Sequence, residues 1–268
     1  MSTPYLPPLD QLLALGRPAV GRREPWPDYL AMGFSADDVP ELVRMAVDAE
    51  LVEGDEDDDP RWYGGVHAWR ALGQLRAEAA VEPLVGLLDI DDDWASNEIP
   101  DVLGMIGPAA FEPLRLALAR WSLAREPWAA TGAASGLVEI AERFPELRDA
   151  AVAALAKQLR WWARQDLHLN TMLVYFLVRL RAVEAAPVIE EAFAADEVDT
   201  RWGQDDWEDV QVLLGLLPER ITPRPVFEPP FRLGPRPVIR IVPPRPPVSR
   251  RRKKAKKKAV RQRSKRRR

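Results

Sequence analysis

The 268-residue chain has no cysteine and only two histidines, His67 and His168. The first absence removes a disulfide framework, a thiolate zinc site and a cysteine nucleophile together. Two histidines far apart in sequence do not supply the clustered imidazoles of a His-based metal site. Long apolar runs are missing as well: no stretch reaches the ~18 residues that a membrane helix needs. The start, MSTPYLPPLDQLLALG, lacks a basic region ahead of its weak apolar run, so the expectation is a soluble, cytoplasmic protein with no signal peptide. No nucleophile elbow, phosphate-cradling loop, His-Glu-x-x-His or dinucleotide fingerprint occurs. Asp89, Asp91 and Asp93 imitate the opening of a calcium loop, but Trp94 and Pro100 stand where that loop needs Gly and Glu. No enzyme activity, metal or cofactor is therefore expected.

Charge is abundant and unevenly placed. The formal net charge of -3 conceals a C-terminal stretch, residues 250 to 268, with 14 Lys or Arg and no acid. Of the 38 basic and 41 acidic residues, 24 and 41 remain in residues 1 to 249, a charge of about -17. The chain reads as an acidic body with a basic tail.

The body is helical by pattern. Within VHAWRALGQLRAEAAVEPLVGLLD (66 to 89), Ala68, Leu72 and Leu75 share one helical face, and Val81, Leu84, Val85 and Leu88 share another. Two short helices joined by small residues are expected to pack back to back as antiparallel neighbours. Pro83 falls in a first turn, whose amides have no intrahelical partner to lose. Shorter helices are expected near Leu9 to Leu15 and Asp28 to Met32. Another should start at Asp38, with Asp38 and Glu41 as an Asp-led capping box.

The layout repeats. Leu72-Gly73-Gln74-Leu75 leads to Val81-Glu82-Pro83-Leu84, Leu103-Gly104-Met105-Ile106-Gly107 to Phe111-Glu112-Pro113-Leu114, and Leu177-Val178-Arg179-Leu180 to Ala186-Pro187-Val188. Helices over Trp128 to Glu142, Leu147 to Trp162 and Trp207 to Leu217 complete the pattern. Helix pairs recurring every 30 to 40 residues or so indicate an all-α solenoid of about five pairs. This layout resembles HEAT repeats of the short, phycobilisome-lyase type, over roughly residues 38 to 217. It is also similar to bacterial HEAT-like proteins, some of which end in a cysteine-rich zinc motif that this chain lacks. The resemblance implies a right-handed superhelix that serves as an interaction scaffold, with a protein partner on its surface.

Residues 1 to 37 then form an N-terminal section of short helices and 38 to 217 the repeat domain. Residues 218 to 249 make a Pro-rich linker, since 11 of the 26 prolines lie in 218 to 247. Residues 250 to 268 are a tail too poor in apolar content to fold alone.

Candidate sites follow from charge. Arg250, Arg251, Arg252, Lys253, Lys254, Lys256, Lys257, Lys258, Arg266, Arg267 and Arg268 are dense enough to neutralise phosphates of RNA, DNA or a ribonucleoprotein. The tail has no aromatic residue, so it should bind without base stacking. The alternative is that it folds back on acidic loops of this or another copy. Three loops join acids to tryptophan: Asp57 to Trp62, Asp91 to Trp94, and Asp205 to Asp209. Trp94, Asp91, Asp93, Trp207 and Asp206 are candidates for holding a Lys/Arg-rich partner; the alternative is helix capping with tryptophan covering repeat junctions. Trp69, Trp161 and Trp162 are candidate stacking platforms or core filler. A resemblance to HEAT-like alkylpurine DNA glycosylases implies an enzymatic alternative. It would need a basic groove, for which Arg148, Lys157, Arg160 and Arg164 are the available cluster.

Overall fold

A computed structural model describes residues 4–18, 25–52, 60–90, 92–200 and 206–223. Among these there are twelve α-helices and no strand. The N-terminal part holds α1 (Asp10–Ala14), α2 (Val39–Ala46) and α3 (Ala49–Val52). Four helix pairs follow: α4 (Tyr63–Gln74) with α5 (Val81–Gly86), α6 (Asp93–Ile106) with α7 (Phe111–Ala124), α8 (Pro127–Arg143) with α9 (Arg148–Leu159), and α10 (Leu167–Arg179) with α11 (Ala186–Ala194). The last helix is α12 (Trp207–Leu213). No single helix among the described residues is long and apolar enough to cross a membrane.

Two local expectations are corrected. Asp28 to Met32 is a single turn, closed by Met32 N–H donating to the Asp28 carbonyl at 3.1 Å. Gly33, at φ 96°, ends it by turning the chain into the left-handed region. The start of α2 is capped three residues earlier than Asp38. Ser35 is the capping residue of a 3-10 turn, Ala36–Asp38, that runs into the helix, and the Asp38 carboxylate accepts from the Ser35 backbone N–H at 2.8 Å. Glu41 pairs with Arg44 instead.

The recurring sequence folds into a recurring junction. Each first helix of a pair ends in a short turn, passes through a three-residue 3-10 turn, and enters the second helix directly. The 3-10 turns are Glu78–Ala80, Pro108–Ala110, Pro145–Leu147 and Val183–Ala185. After α4 and after α10 the same bond closes the helix: Ala77 N–H donates to the Leu72 carbonyl at 3.0 Å, and Ala182 N–H to the Leu177 carbonyl at 2.9 Å. This six-to-one bond satisfies a carbonyl that the helix end leaves open. It needs a left-handed residue, here Arg76 (φ 49°) and Arg181 (φ 51°), where an L-residue costs about 1 kcal/mol or more. After α6 the residue following Gly107 is Pro108, which has no N–H to form that bond; Gly107 (φ 96°, ψ -141°) turns the chain instead, which bends by 119° into Pro108–Ala124. Ala80, Ala110 and Ala185, each closing its 3-10 turn, are buried, which is why the linking residues are small.

Packing runs in a simple order. α2, α4, α6, α8 and α10 each pack on the next of that series, while α5 packs on α7 and α9 on α11. The pair α4 and α5, expected back to back, instead spends its main contacts elsewhere: α4 on α2 and α6, α5 on α6 and α7. The most heavily packed helix is α8, which touches α6, α7, α9 and α10. The first half of its buried surface is small, with Ala129, Ala130, Gly132, Ala133, Ala134 and Gly136, and Leu137, Val138 and Ile140 fill the second half. A Cβ on Gly136 would lie 2.8 Å from Leu114 of α7, and one on Gly104 of α6 would lie 2.6 Å from the Cβ of Glu139 on α8.

Gly104 and Gly86 therefore predict opposite outcomes for the same substitution. Gly104→Ala forces backbones apart and should cost about 1–3 kcal/mol in urea unfolding. Gly86→Ala meets no atom within 4 Å at helical backbone angles, and should stabilise by up to about 1 kcal/mol. Equal effects at the two sites would contradict the α6–α8 contact.

Candidate interaction surfaces

The predicted tail residues, Arg250 through Arg268, lie outside the described residues, as do Asp91 and residues 53–59. The remaining acid-and-tryptophan positions are placed. Trp94 is half-buried and meets Trp62 edge-on at 6.4 Å between ring centroids and Tyr63 at 5.7 Å, so the tryptophans of the first two loops come together. Trp207 packs on Phe193 of α11 at 6.0 Å. Beside Trp94, Asp92 caps α6 by accepting from Ala95 N–H at 2.7 Å, and Asp93 is exposed in the first turn. Asp206 forms a capping box with Asp209 at the start of α12 and takes both arms of Arg220 at 2.7 Å each. Arg220 holds the Asp206 carboxyl below its ordinary range. Asp92 and Asp206 are thus employed as caps, Asp206 also as an ion-pair partner, and Trp94 and Trp207 pack on neighbouring aromatic rings.

Sequence reasoning missed the charge pairs inside the body. Arg70 of α4 is fully buried and grips Glu98 of α6 through two bonds, 2.8 and 2.6 Å, with Trp26 stacked 4.6 Å from its guanidinium. One step along, Arg143 of α8 bonds Asp101 of α6 and, at 2.5 Å, Glu139 of its own helix. One step further, Arg179 of α10 reaches Glu139 at 2.7 Å and Glu142 at 2.5 Å, both on α8. Each contact between successive helices of the α4–α6–α8–α10 series thus carries an arginine. Burial alone would raise the Glu139 carboxyl, but Arg143 and Arg179 together hold it below its usual value. Burial raises Asp101, against the pull of Arg143. A charge pair so placed is costly to break, because the surviving partner stays desolvated. The sequence signal was available only as acids and arginines spaced about one repeat apart.

His67 belongs to the same interior. Its Nε2 sits 2.9 Å from the Gly16 carbonyl, which can only accept, so Nε2 carries the proton. Nδ1 then accepts from the Tyr29 hydroxyl at 2.6 Å. Burial pushes the His67 pKa down and the Tyr29 pKa up. The neutral ring is a strut between α4 and the N-terminal section. The cationic cluster named from sequence divides. Arg148, at the start of α9, is bonded to the Leu180 and Arg181 carbonyls and to Glu184. Lys157, Arg160 and Arg164 are exposed near the other end.

A cleft of about 500 Å³ lies between the ends of α4, α6 and α8, bordered by Gln74, Met105, Arg143 and Phe144. Gln74 already bonds Tyr29 N–H and the Pro27 carbonyl, each at 2.9 Å. Among the described residues no group of three or more His, Asp or Glu is placed to hold a metal. No family model matches the chain, and neither a curated protein nor a solved structure shows significant similarity to it.

The depressed His67 pKa fixes a pH dependence. The unfolded chain gains a proton near pH 6.5 that the folded state resists, so stability present above 6.5 is lost as pH falls through the folded value. His67→Gln keeps a donor toward Gly16 and removes the titration. Urea midpoints measured from pH 7.5 to 5 should fall less steeply in that variant; parallel curves would contradict a buried neutral imidazole.

Proposed function

We propose that the chain is a non-catalytic, cytoplasmic scaffold: a right-handed HEAT-like α-solenoid body that binds a protein partner, with residues 250–268 tethering the assembly to nucleic acid or a ribonucleoprotein. The observation that carries this reading is the charge division, 14 cations and no acid in the last 19 residues against 24 cations and 41 acids before them. A run of that density releases counterions from phosphates and binds them without reading sequence. The solenoid reading is supported by the fourfold helix, 3-10 turn, helix junction and by neighbours that follow chain order. The scaffold reading is supported over the glycosylase alternative by the state of the buried acids. Glu98 is taken by Arg70, and Glu139 by Arg143 and Arg179, which leaves both in structural roles. The acidic loops at Asp93 and Asp206 beside Trp94 and Trp207 remain the candidate face for a basic partner segment.

A chain ending at Pro247 tests the tether. It should keep the thermal midpoint of the full chain and lose most of its RNA and DNA affinity, about 100-fold or more at low salt, with a much shallower salt dependence. Unchanged affinity and slope would refute a polyanion-binding tail.

A further inference from the structure

The acidic body has one edge of opposite character. Arg120 and Arg125 near the end of α7, Lys157 in the last turn of α9, and Arg160 and Arg164 after it are all exposed, and none makes an ion pair among the described residues. The two segments that carry them, 120–128 and 157–168, hold five Lys or Arg against two acids, Glu126 and Asp166, a net of about +3. They are bound into one surface. Gln158 Nε2 donates to Ser122 Oγ at 2.8 Å and to Gln165 Oε1 at 2.7 Å, and Gln165 in turn donates to the buried Asn170 at 2.6 Å. On this surface Trp128 stacks on His168 at 4.1 Å between ring centroids yet is 72% exposed. Trp161 is 48% exposed, with Arg164 5.2 Å over its ring. Of the nine described tryptophans, Trp62, Trp69 and Trp121 are buried and four are half-buried; these two are open among cations that form no ion pair.

We infer that this edge, formed by the α7–α8 connection and the α9–α10 connection, is a binding surface for single-stranded nucleic acid. Unpaired guanidinium and ammonium groups track a phosphate backbone, and exposed indoles stack unpaired bases. A duplex offers no free base face, and an acidic peptide does not pair a ring with each of its charges as a single strand does, so the pairing of the two features favours a single strand. The surface acts apart from the tail. The tail carries charge without an aromatic and cannot tell a single strand from any other polyanion, whereas this edge can.

The test uses the full chain with Trp128→Ala and Trp161→Ala combined. Binding is read by anisotropy against a labelled oligothymidylate of about 30 nucleotides, heparin and polyglutamate. Both side chains are surface groups, so an unchanged thermal midpoint is expected. Affinity for oligothymidylate should fall about tenfold or more, with heparin and polyglutamate unaffected. A second variant, Arg125→Ser with Arg164→Ser, should reduce the salt slope for oligothymidylate by about 1.4. Unchanged oligothymidylate affinity in the tryptophan variant would overturn the inference. So would an equal loss toward heparin or polyglutamate, which would make the surface a charge patch or an acidic-peptide site. Failure here leaves the effect of tail truncation intact, and failure of the tail leaves the tryptophan effect intact.

Discussion

The body depends on how closely helices can approach α8. The first half of its buried surface is nearly bare of side-chain volume, with Ala129, Ala130, Gly132, Ala133, Ala134 and Gly136 ahead of the larger Leu137, Val138 and Ile140; Gly136 lets the Leu114 side chain of α7 in, and Gly104 of α6 lies against the Glu139 backbone. Close approach shuts water out of the seams, and the charges that lie there must then satisfy one another. Arg143 and Arg179 do this around Glu139, and Arg70 does it for Glu98 one seam earlier. Dispersion and apolar burial supply the bulk of the stabilisation. The arginine pairs contribute registry, because each guanidinium fits its carboxylate at one axial position of the neighbouring helix.

Much of this was legible in sequence where the signal was periodic. Leu72, Leu75, Leu84 and Leu114 sit on apolar faces at helical spacing, and Pro83, Pro113 and Pro187 mark first turns, so the helices and their repeating junctions could be placed. The centre of the structure could not. α8 is rich in alanine and glycine, whose small side chains give little apolar contrast around the helix, and the importance of Gly104 and Gly136 lies in a neighbour far along the chain. The interior of α6 was obscured by Pro100, which is tolerated in mid-helix although it leaves the Ser96 carbonyl without an intrahelical partner. Capping signals were readable in kind but not in register: Asp38 is part of a capping box, with Ser35 and not Glu41.

The candidate sites divide in the same way. Acid-rich loops announce themselves by composition, and the structure shows the helix-capping and ion-pair work that Asp92 and Asp206 perform. Exposed tryptophan does not announce itself, since Trp69 and Trp128 look alike in a helical pattern while one is buried and the other open. The basic edge around Trp128 and Trp161 is assembled from two connections about 35 residues apart, and the bonds of Ser122 to Gln158 and Gln165, with the Trp128–His168 contact, reveal that they meet. We propose that the chain separates its partners by charge, with the tail and the α7–α10 edge for phosphate and the acidic loops for a basic protein segment.

Ultraviolet cross-linking of the full chain to single-stranded RNA, with the modified peptides mapped by mass spectrometry, tests that division most directly. The account predicts adducts in residues 250–268 and in the segments 120–128 and 157–168, with Trp128 and Trp161 as the aromatic positions. Adducts concentrated at Trp94 or Trp207, within the acidic loops, would contradict it.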